Sequence, residues 1–127
     1  MGLEVGLQGT VTQRVREDDT ADRFGAGGVR VFGTPAMIGL MENAAWTLVQ
    51  PLLPEGETTV GTLVNIQHLA ATPVGEQVTA QAELTGIHGR RLVFRVRAHD
   101  EHQLIGEGIH ERARVDLERF LARLHER

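Results

Sequence analysis

The chain has 127 residues and a formal net charge of -4, and it contains no Cys and no Tyr. All 13 basic residues are Arg, so Lys is absent as well. These absences exclude a cysteine nucleophile, a Schiff-base lysine, a thiolate metal site and a disulfide. Negative charge with only 4% aromatic residues argues against a nucleic-acid partner, which normally meets a basic face. The length suits one domain, predicted over residues 1–127.

The sequence shows none of the features that are typical of a signal peptide or of a membrane-spanning segment. Residues 1–10 show neither the basic segment nor the apolar run of a signal peptide. No stretch approaches the ~18 consecutive apolar residues of a spanning helix. We therefore expect an intracellular, cytoplasmic protein without a membrane partner.

The first half of the chain predicts a strand, a loop and one long helix. Residues 7–15 alternate weakly and predict a strand, and residues 17–28 predict a short turn or helix followed by a mobile loop. Thr34 then offers an N-cap hydroxyl, and Pro35 suits the first helical position. The helix is expected to run to Gln50, where Pro51 ends it, and to be about 24 Å long.

After Gly56 the apolar period changes from helical to strand-like. A strand over 60–68 is expected to place five side chains on one face: Val60, Thr62, Val64, Ile66 and His68. Residues 78–85 and 91–98 alternate cleanly, and the connector around Gly89 predicts a hairpin between them. A fifth strand over 104–115 and a short helix at the C-terminus complete the order.

These elements predict an α+β protein with one antiparallel sheet, because consecutive strands are joined by short connections. Only the helix over 34–50 is apolar enough to cover the apolar face of that sheet. The economical arrangement is the hot-dog fold: about five strands wrapped around one long central helix, plus a short C-terminal helix.

Glu42 is the one charged side chain in the long helix. A helix that is apolar on most sides is buried, so this carboxylate must be paired, protonated or used in chemistry. Perturbed carboxylates concentrate at functional sites, which favours a catalytic role. The alternative is a thin solvent-exposed stripe shared with Asn43 and Gln50, since Gln50 lies within ~80° of Glu42 around the axis.

His68 and Thr34 are weaker candidates when each is taken alone. His68 ends a strand in phase with Val64 and Ile66, so it points toward the helix; a histidine at the edge of the core explains it equally well. Thr34 is explained by capping alone. A helix N-terminus nevertheless offers free N–H groups and a positive dipole end, which suit a developing oxyanion.

The remaining five histidines show no spacing typical of a metal site. His99 and His102 flank a turn with Asp100 and Glu101, which is best explained as a solvated turn. His110 lies on a strand with no obvious partner. Neither a zinc motif nor a phosphate-binding glycine loop nor a nucleophile elbow occurs, so no metal and no cofactor are expected.

Four segments together resemble the fluoroacetyl-CoA thioesterase-like branch of the hot-dog thioesterases: VFGTPAMIGLMENAAW, GTLVNIQHLAATPVGEQVTAQAEL, GRRLVFRVRAHD and GEGIHERARVDLERF. The similarity covers nearly all of the chain after about residue 31. It implies that Thr34, Glu42 and His68 form the catalytic group. It further implies that Gly61 approaches the thioester carbonyl and that Arg112 contacts the acyl-CoA. A homodimeric acyl-CoA thioesterase that needs no metal follows, with tetramer formation left open.

Two departures from the family pattern bear on the substrate. The helix opens with Pro35-Ala36 where the family is expected to have Gly-Phe, and residues 25–30 lack the bulky aromatic lid associated with fluoroacetyl selectivity. We therefore predict that a small acyl-CoA is the substrate and that fluoroacetyl-CoA itself is not.

The expected mechanism uses Glu42 as a base for water or as a direct nucleophile, with His68 on the carbonyl and Thr34 positioning the acyl group. Thr34 and Glu42 are separated by about 12 Å of helix rise, too far for a direct hydrogen bond. The substrate or His68 must lie between them, or two protomers must share the site. Two other functions stay open: an acyl-CoA hydratase and a non-catalytic acyl-CoA-binding dimer. Arg112 and its neighbours are candidates for holding a CoA phosphate.

Overall fold

The computed structural model describes residues 2–127 and contains five strands and two helices. In chain order they are β1 (Gln8–Arg14), α1 (Thr34–Val49), β2 (Glu57–His68), β3 (Gln77–His88), β4 (Arg91–His99), β5 (Leu104–Asp116) and α2 (Leu117–His125). Short 3-10 turns follow β1 at Glu17–Asp19 and extend α1 at Gln50–Leu52. The predicted hot-dog fold, with its five strands, long helix and short C-terminal helix, is confirmed.

All strand pairs in the sheet are antiparallel, and the strand order is β1-β3-β4-β5-β2. Only β3, β4 and β5 follow one another as neighbours. β2 pairs with β5 and not with β3, so the eight residues from Leu69 to Glu76 carry the chain across the sheet. β1 and β2 are therefore the two edge strands.

A bulge at Thr62 changes the face to which β2 side chains point. The register with β5 shifts between Gly61 and Leu63, so Gly61 pairs with Arg112 while Val64 pairs with His110. Residues on the helix side are odd-numbered before the bulge and even-numbered after it. The expectation that Val60 and Thr62 share a face with His68 is therefore wrong. Instead, the bulge brings Gly61 and His68 to the same face.

The core lies between the concave face of the sheet and one side of α1. The helix buries six side chains: Met37, Leu40, Met41, Ala44, Ala45 and Val49. They pack on alternating residues of β3 and β4, such as Leu84 and Phe94, which are fully buried. The opposite side of the helix is open in the single chain, and Gly39, Asn43 and Trp46 are exposed there. The sheet thus covers one side of the helix and leaves the other side bare.

The start of α1 differs from the predicted cap. Gly33 occupies the N-cap position with extended backbone, and Thr34 is the first helical residue. The Thr34 hydroxyl makes no capping bond, because it is turned toward His68. Gly33 is held instead by its own N–H, which donates to the Asp19 carbonyl at 2.7 Å. The N-cap prediction for Thr34 is wrong, and its hydroxyl is free for another task.

None of the helices within residues 2–127 combines the length and the apolar character that crossing a bilayer requires.

Candidate active site

Thr34 and His68 form the first of two polar clusters beside α1. The Thr34 Oγ1 lies 2.7 Å from His68 Nδ1, which joins the first turn of the helix to the last residue of β2. Both side chains line an open cavity of about 380 Å³ together with Phe32 and Leu69. The second ring nitrogen, Nε2, is buried and has no hydrogen-bond partner among residues 2–127. A substrate atom entering the cavity could supply that partner.

Burial lowers the pKa of His68 below its usual 6.5, and the backbone of Ala70 only partly opposes this. The imidazole is therefore neutral at pH 7, so one ring nitrogen carries a proton and the other a lone pair. Because Nδ1 faces the Thr34 hydroxyl, Nε2 is the nitrogen left for a ligand.

Glu42 belongs to the second cluster, halfway along α1. Its side chain is 42% exposed in the single chain and receives a hydrogen bond at 3.2 Å from Nη1 of Arg112. Gly61 of β2 lies directly opposite, so close that a Cβ on this residue would come within 2.6 Å of Glu42 Oε2. Only glycine leaves the carboxylate in this place. Glu42 is thus held by a cation on one side and faces bare backbone on the other.

Arg112 is nearly buried and is occupied by its own neighbours. Its Nε donates to the Thr59 hydroxyl at 2.8 Å, and Nη2 donates to the Thr59 carbonyl at 3.0 Å. Nη1 reaches both Glu42 and the His110 ring. A guanidinium has five N–H donors, so four of them are engaged. Burial lowers the pKa of Arg112, although Glu42 opposes this, and the group stays charged.

His110 is the residue of this cluster that sequence reasoning missed. The ring is fully buried and stacks on Phe94, with centroids 6.2 Å apart. Its Nδ1 faces the Leu63 carbonyl at 2.8 Å; a carbonyl only accepts, so Nδ1 carries the proton and Nε2 accepts from Arg112. Burial lowers its pKa, consistent with a neutral ring. The available signal was the spacing of His110 and Arg112, which puts both on one face of a strand.

The two clusters lie apart within one chain. Eight residues of α1 separate Thr34 from Glu42, about 12 Å of rise. Along β2, Gly61 and His68 are about 20 Å apart at the usual rise per residue. Glu42 makes its polar contacts with Arg112 and His110, and none with His68. One chain therefore carries two separate polar clusters beside α1, one completed by β2 and the other by β2 and β5.

Groups that could hold a metal ion are absent from residues 2–127: no three His, Asp or Glu side chains converge. The turn at residues 99–102 is a solvated one, where the Asp100 carboxylate accepts from the backbone N–H groups of His102 and Gln103. His102 lies 3.4 Å from Glu76.

Comparisons with known proteins place these residues in a family. The profile of a family described as fluoroacetyl-CoA-specific thioesterase matches residues 15–118. A curated relative, the fluoroacetyl-CoA thioesterase of Streptantibioticus cattleyicolor, is 47% identical over 97 residues, which cover 76% of this chain and 70% of that protein. The chain belongs to the fluoroacetyl-CoA-specific thioesterase family. Its members are named thioesterases, and the protein is a thioester hydrolase.

Solved structures agree with the assignment. A fluoroacetyl-CoA thioesterase structure superposes with a TM-score of 0.95 at 40% identity, covering 100% of this chain and 98% of that one. A hot-dog-like protein from Thermanaerovibrio acidaminovorans superposes with a TM-score of 0.88 at 28% identity, over 96% of this chain and 90% of that one. The predicted family and the predicted enzyme class are both confirmed.

The prediction that fluoroacetyl-CoA is not the substrate is wrong, because both the family and its 47% identical member are named for that substrate. The prediction depended on Pro35-Ala36 at the start of the helix and on the missing aromatic residue in the loop over 25–30. Loops vary between relatives more than the elements they connect. Moreover, an aromatic side chain stands just before that loop. Phe24 is 48% exposed and lines a cavity of about 560 Å³ with Pro35, Ala36 and Gly39.

Proposed function

We propose that this protein hydrolyses a small acyl-CoA thioester, with fluoroacetyl-CoA as the first candidate, to the free acid and CoA. The observation that carries the proposal is the Glu42 carboxylate, which Arg112 holds against the bare backbone of Gly61. The names of the family and of its relative in Streptantibioticus support the choice of substrate.

In the proposed reaction Glu42 is the base or the nucleophile. As a base it takes a proton from water, whose oxygen forms a bond to the thioester carbon while the C–S bond breaks and the thiolate of CoA takes up a proton. As a nucleophile it forms a mixed anhydride, which water then opens. A single turnover in ¹⁸O-labelled water that leaves label in Glu42 identifies the nucleophilic route, because attack by water in the general-base route puts the label only into the product acid.

His68 and Thr34 would act on the thioester carbonyl. With the Thr34 hydroxyl on Nδ1, the free Nε2 of His68 is available to donate to the carbonyl oxygen as negative charge develops there. The backbone at Gly61 would approach the carbonyl from the opposite side. Arg112 would keep the Glu42 carboxylate oriented, and its one free N–H would be left for the acyl-CoA.

We propose that two protomers share each site. β2 is an edge strand, and apolar side chains along its middle are exposed, among them Leu63 and Val64 at 40% and 48%. Two such strands pairing antiparallel about a two-fold axis near residues 64 and 65 would set Gly61 of each protomer opposite position 68 in the other. The cluster with Glu42 would then meet the cluster with Thr34 and His68 across the interface. The open side of α1 would be covered in the same dimer.

Several finer predictions stay proposals. They are a cytoplasmic location, a homodimer with tetramer formation left open, and a reaction that uses neither metal nor cofactor. The last is reasonable on chemical grounds, because a thioester is reactive enough for a carboxylate and an imidazole to hydrolyse it.

The test is thiol release from fluoroacetyl-CoA, acetyl-CoA and a series of longer acyl-CoAs, with Glu42→Gln and Glu111→Gln compared against the parent. Glu111 neighbours Arg112 on β5 and faces the other side of the sheet, so its variant is the matched control. We expect release by the parent and the control and none by Glu42→Gln. Binding of acyl-CoAs without thiol release would instead favour the non-catalytic dimer.

A further inference from the structure

A second group of arginines lies outside the site described above, where β5 ends and α2 begins. Arg90, Arg114, Arg119 and Arg123 line a cavity of about 240 Å³, together with Asp116 and the half-buried Phe120. Arg90 comes from the hairpin between β3 and β4, so three separate elements contribute to the lining. We call this group the arginine cluster.

The cluster carries excess positive charge. Arg114 is paired with Glu57 at 2.8 Å, and Asp116 caps α2 by accepting from the Arg119 N–H. The guanidinium groups of Arg90, Arg119 and Arg123 have no carboxylate partner among residues 2–127. The cluster contains four arginines, and the carboxylates of Glu57 and Asp116 compensate two of these charges. Two positive charges are left over. A chain with a net charge of -4 thus concentrates positive charge around one cavity.

Arg112 cannot supply this charge to a ligand in the same way. Four of its five N–H donors are taken by Thr59, Glu42 and His110, and its side chain is only 9% exposed. A phosphate needs several free, solvent-facing donors at once. Arg119 and Arg123, by contrast, are exposed and one helical turn apart on α2, so both can face the same anion.

The position of the cluster fits the far end of the proposed substrate. Arg114 and Arg112 point to the same side of β5 and are about 7 Å apart along the strand. The cluster therefore begins just beyond Glu42 and extends away from it along α2. In an acyl-CoA, a flexible arm separates the thioester from the diphosphate and the 3′-phosphate of the nucleotide. Charges next to Glu42 would be too close to meet those phosphates, whereas the arginine cluster is displaced from Glu42 along the sheet.

We infer that the arginine cluster binds the phosphate groups at the nucleotide end of the CoA substrate, with Arg119 and Arg123 as its exposed ligands. The inference rests on the proposed function for the identity of the ligand. Phe120 adds an apolar wall to the same cavity.

The test replaces Arg119 or Arg123 by Glu and uses Arg95→Glu as the matched control. Arg95 is an exposed arginine on β4 that lines a different cavity with Gln8 and Glu83, so its replacement changes the net charge equally. For a CoA thioester we expect KM to rise about tenfold in the cluster variants, the loss of one charge-assisted contact. The kcat is expected to stay unchanged. Hydrolysis of the N-acetylcysteamine thioester, which has no nucleotide, should be equal in all proteins.

The inference is overturned if Arg119→Glu and Arg123→Glu match Arg95→Glu on the CoA thioester, with circular dichroism showing that each variant is folded. Direct binding keeps this result separate from the proposed function. Calorimetry with adenosine 3′,5′-bisphosphate should detect binding to the parent and weaker binding to the cluster variants, even if the parent hydrolyses no thioester. Equal binding to parent and variants, or no binding to the parent, contradicts the inference.

Discussion

Gly61 and Glu42 are in such close contact that a single methyl group on the glycine would overlap the carboxylate: the Cβ would lie 2.6 Å from Oε2. The contact joins the edge strand β2 to the middle of α1. It also explains why glycine stands in a strand that otherwise carries side chains at every position, because the backbone there must approach a charged group closely. The position of the carboxylate is therefore set by a residue that has no side chain.

Gly61→Ala is expected to displace Glu42 from Arg112 while leaving the fold intact. A displacement of about 1 Å at a catalytic group costs roughly a hundredfold in rate, so kcat should fall by that order. The measurement is thiol release together with thermal unfolding. Gly28→Ala is the control, because a Cβ at Gly28 meets nothing within 4 Å. An alanine variant at Gly61 with the parent's kcat would show that the close contact has no catalytic importance.

Arg112→Lys tests whether the guanidinium orients Glu42. A lysine keeps the charge, but its ammonium group cannot reproduce the planar guanidinium, which donates to Thr59, Glu42 and His110 at the same time. We expect kcat to fall about tenfold or more through misplacement of the carboxylate. Stability should fall by about 1–3 kcal/mol, less than for a fully buried pair because Glu42 is partly screened by solvent. Urea unfolding measures the second quantity, and an unchanged kcat would limit Arg112 to a structural role.

Mixing two inactive variants tests the shared site. If Glu42 of one protomer works with His68 of its partner, heterodimers of Glu42→Gln and His68→Ala contain one intact site. Random exchange of subunits should then restore about a quarter of the parent activity. If each site lies within one protomer, every site in the heterodimer lacks one residue and no activity returns. Native mass spectrometry, which separates the heterodimer from the two homodimers by mass, confirms that subunits have exchanged.

Thr34→Ala is expected to lower kcat about tenfold, because His68 loses the hydrogen bond that fixes its ring at 2.7 Å. Thr34→Ser keeps the hydroxyl and should retain most of the activity. Since Thr34 makes no capping bond, neither change should alter the melting temperature by more than a few degrees. A serine variant as impaired as the alanine variant would argue against a role for the hydroxyl.

Stability should decline as the pH falls below 6.5. Burial lowers the pKa of both His68 and His110, so between 6.5 and those lower values the unfolded chain binds more protons than the folded chain. The two neutral histidines therefore make their full contribution to the free energy of unfolding above pH 6.5. That contribution is lost as the pH falls through their pKa values in the folded protein. Urea titrations at about pH 7.5 and 5.5 measure the decrease, and His68→Gln should reduce it. An unchanged free energy across this range would contradict the neutral, buried assignment of both rings.

Two carboxylates with shifted pKa values, those of Asp19 and Asp100, do not interfere with this measurement. Burial alone would raise the pKa of each carboxyl group. Hydrogen bonds from Arg16 to Asp19 and from the His102 N–H to Asp100 outweigh it and keep both pKa values below 3.8. Both carboxylates make their full contribution to the free energy of unfolding above pH 3.8 and lose it only at lower pH.

The local sequence pattern was enough to predict the helices and strands and to pick out the candidate site residues. The alternation of Val78, Ala80 and Ala82 with polar neighbours required a strand with one buried face, and the largely apolar stretch before Pro51 required one long helix. An isolated Glu in that helix stood out for the same reason, since burying a charge needs a partner. Hydrophobic periodicity and the energetic cost of burying a charge depend on residues that are close together in the chain. A single sequence is therefore enough to detect both.

The partners of those residues depended on the tertiary structure. A bulge at Thr62 adds one residue to β2 and reverses its faces, which no period-two pattern can reveal. The pairing of β2 with β5 then brings Arg112 and His110, seventy and sixty-eight residues along the chain, to Glu42. The sequence by itself determined which side chains were available for chemistry and which elements carried them. Strand order and register decided which of them meet, because those depend on contacts between segments far apart in the chain.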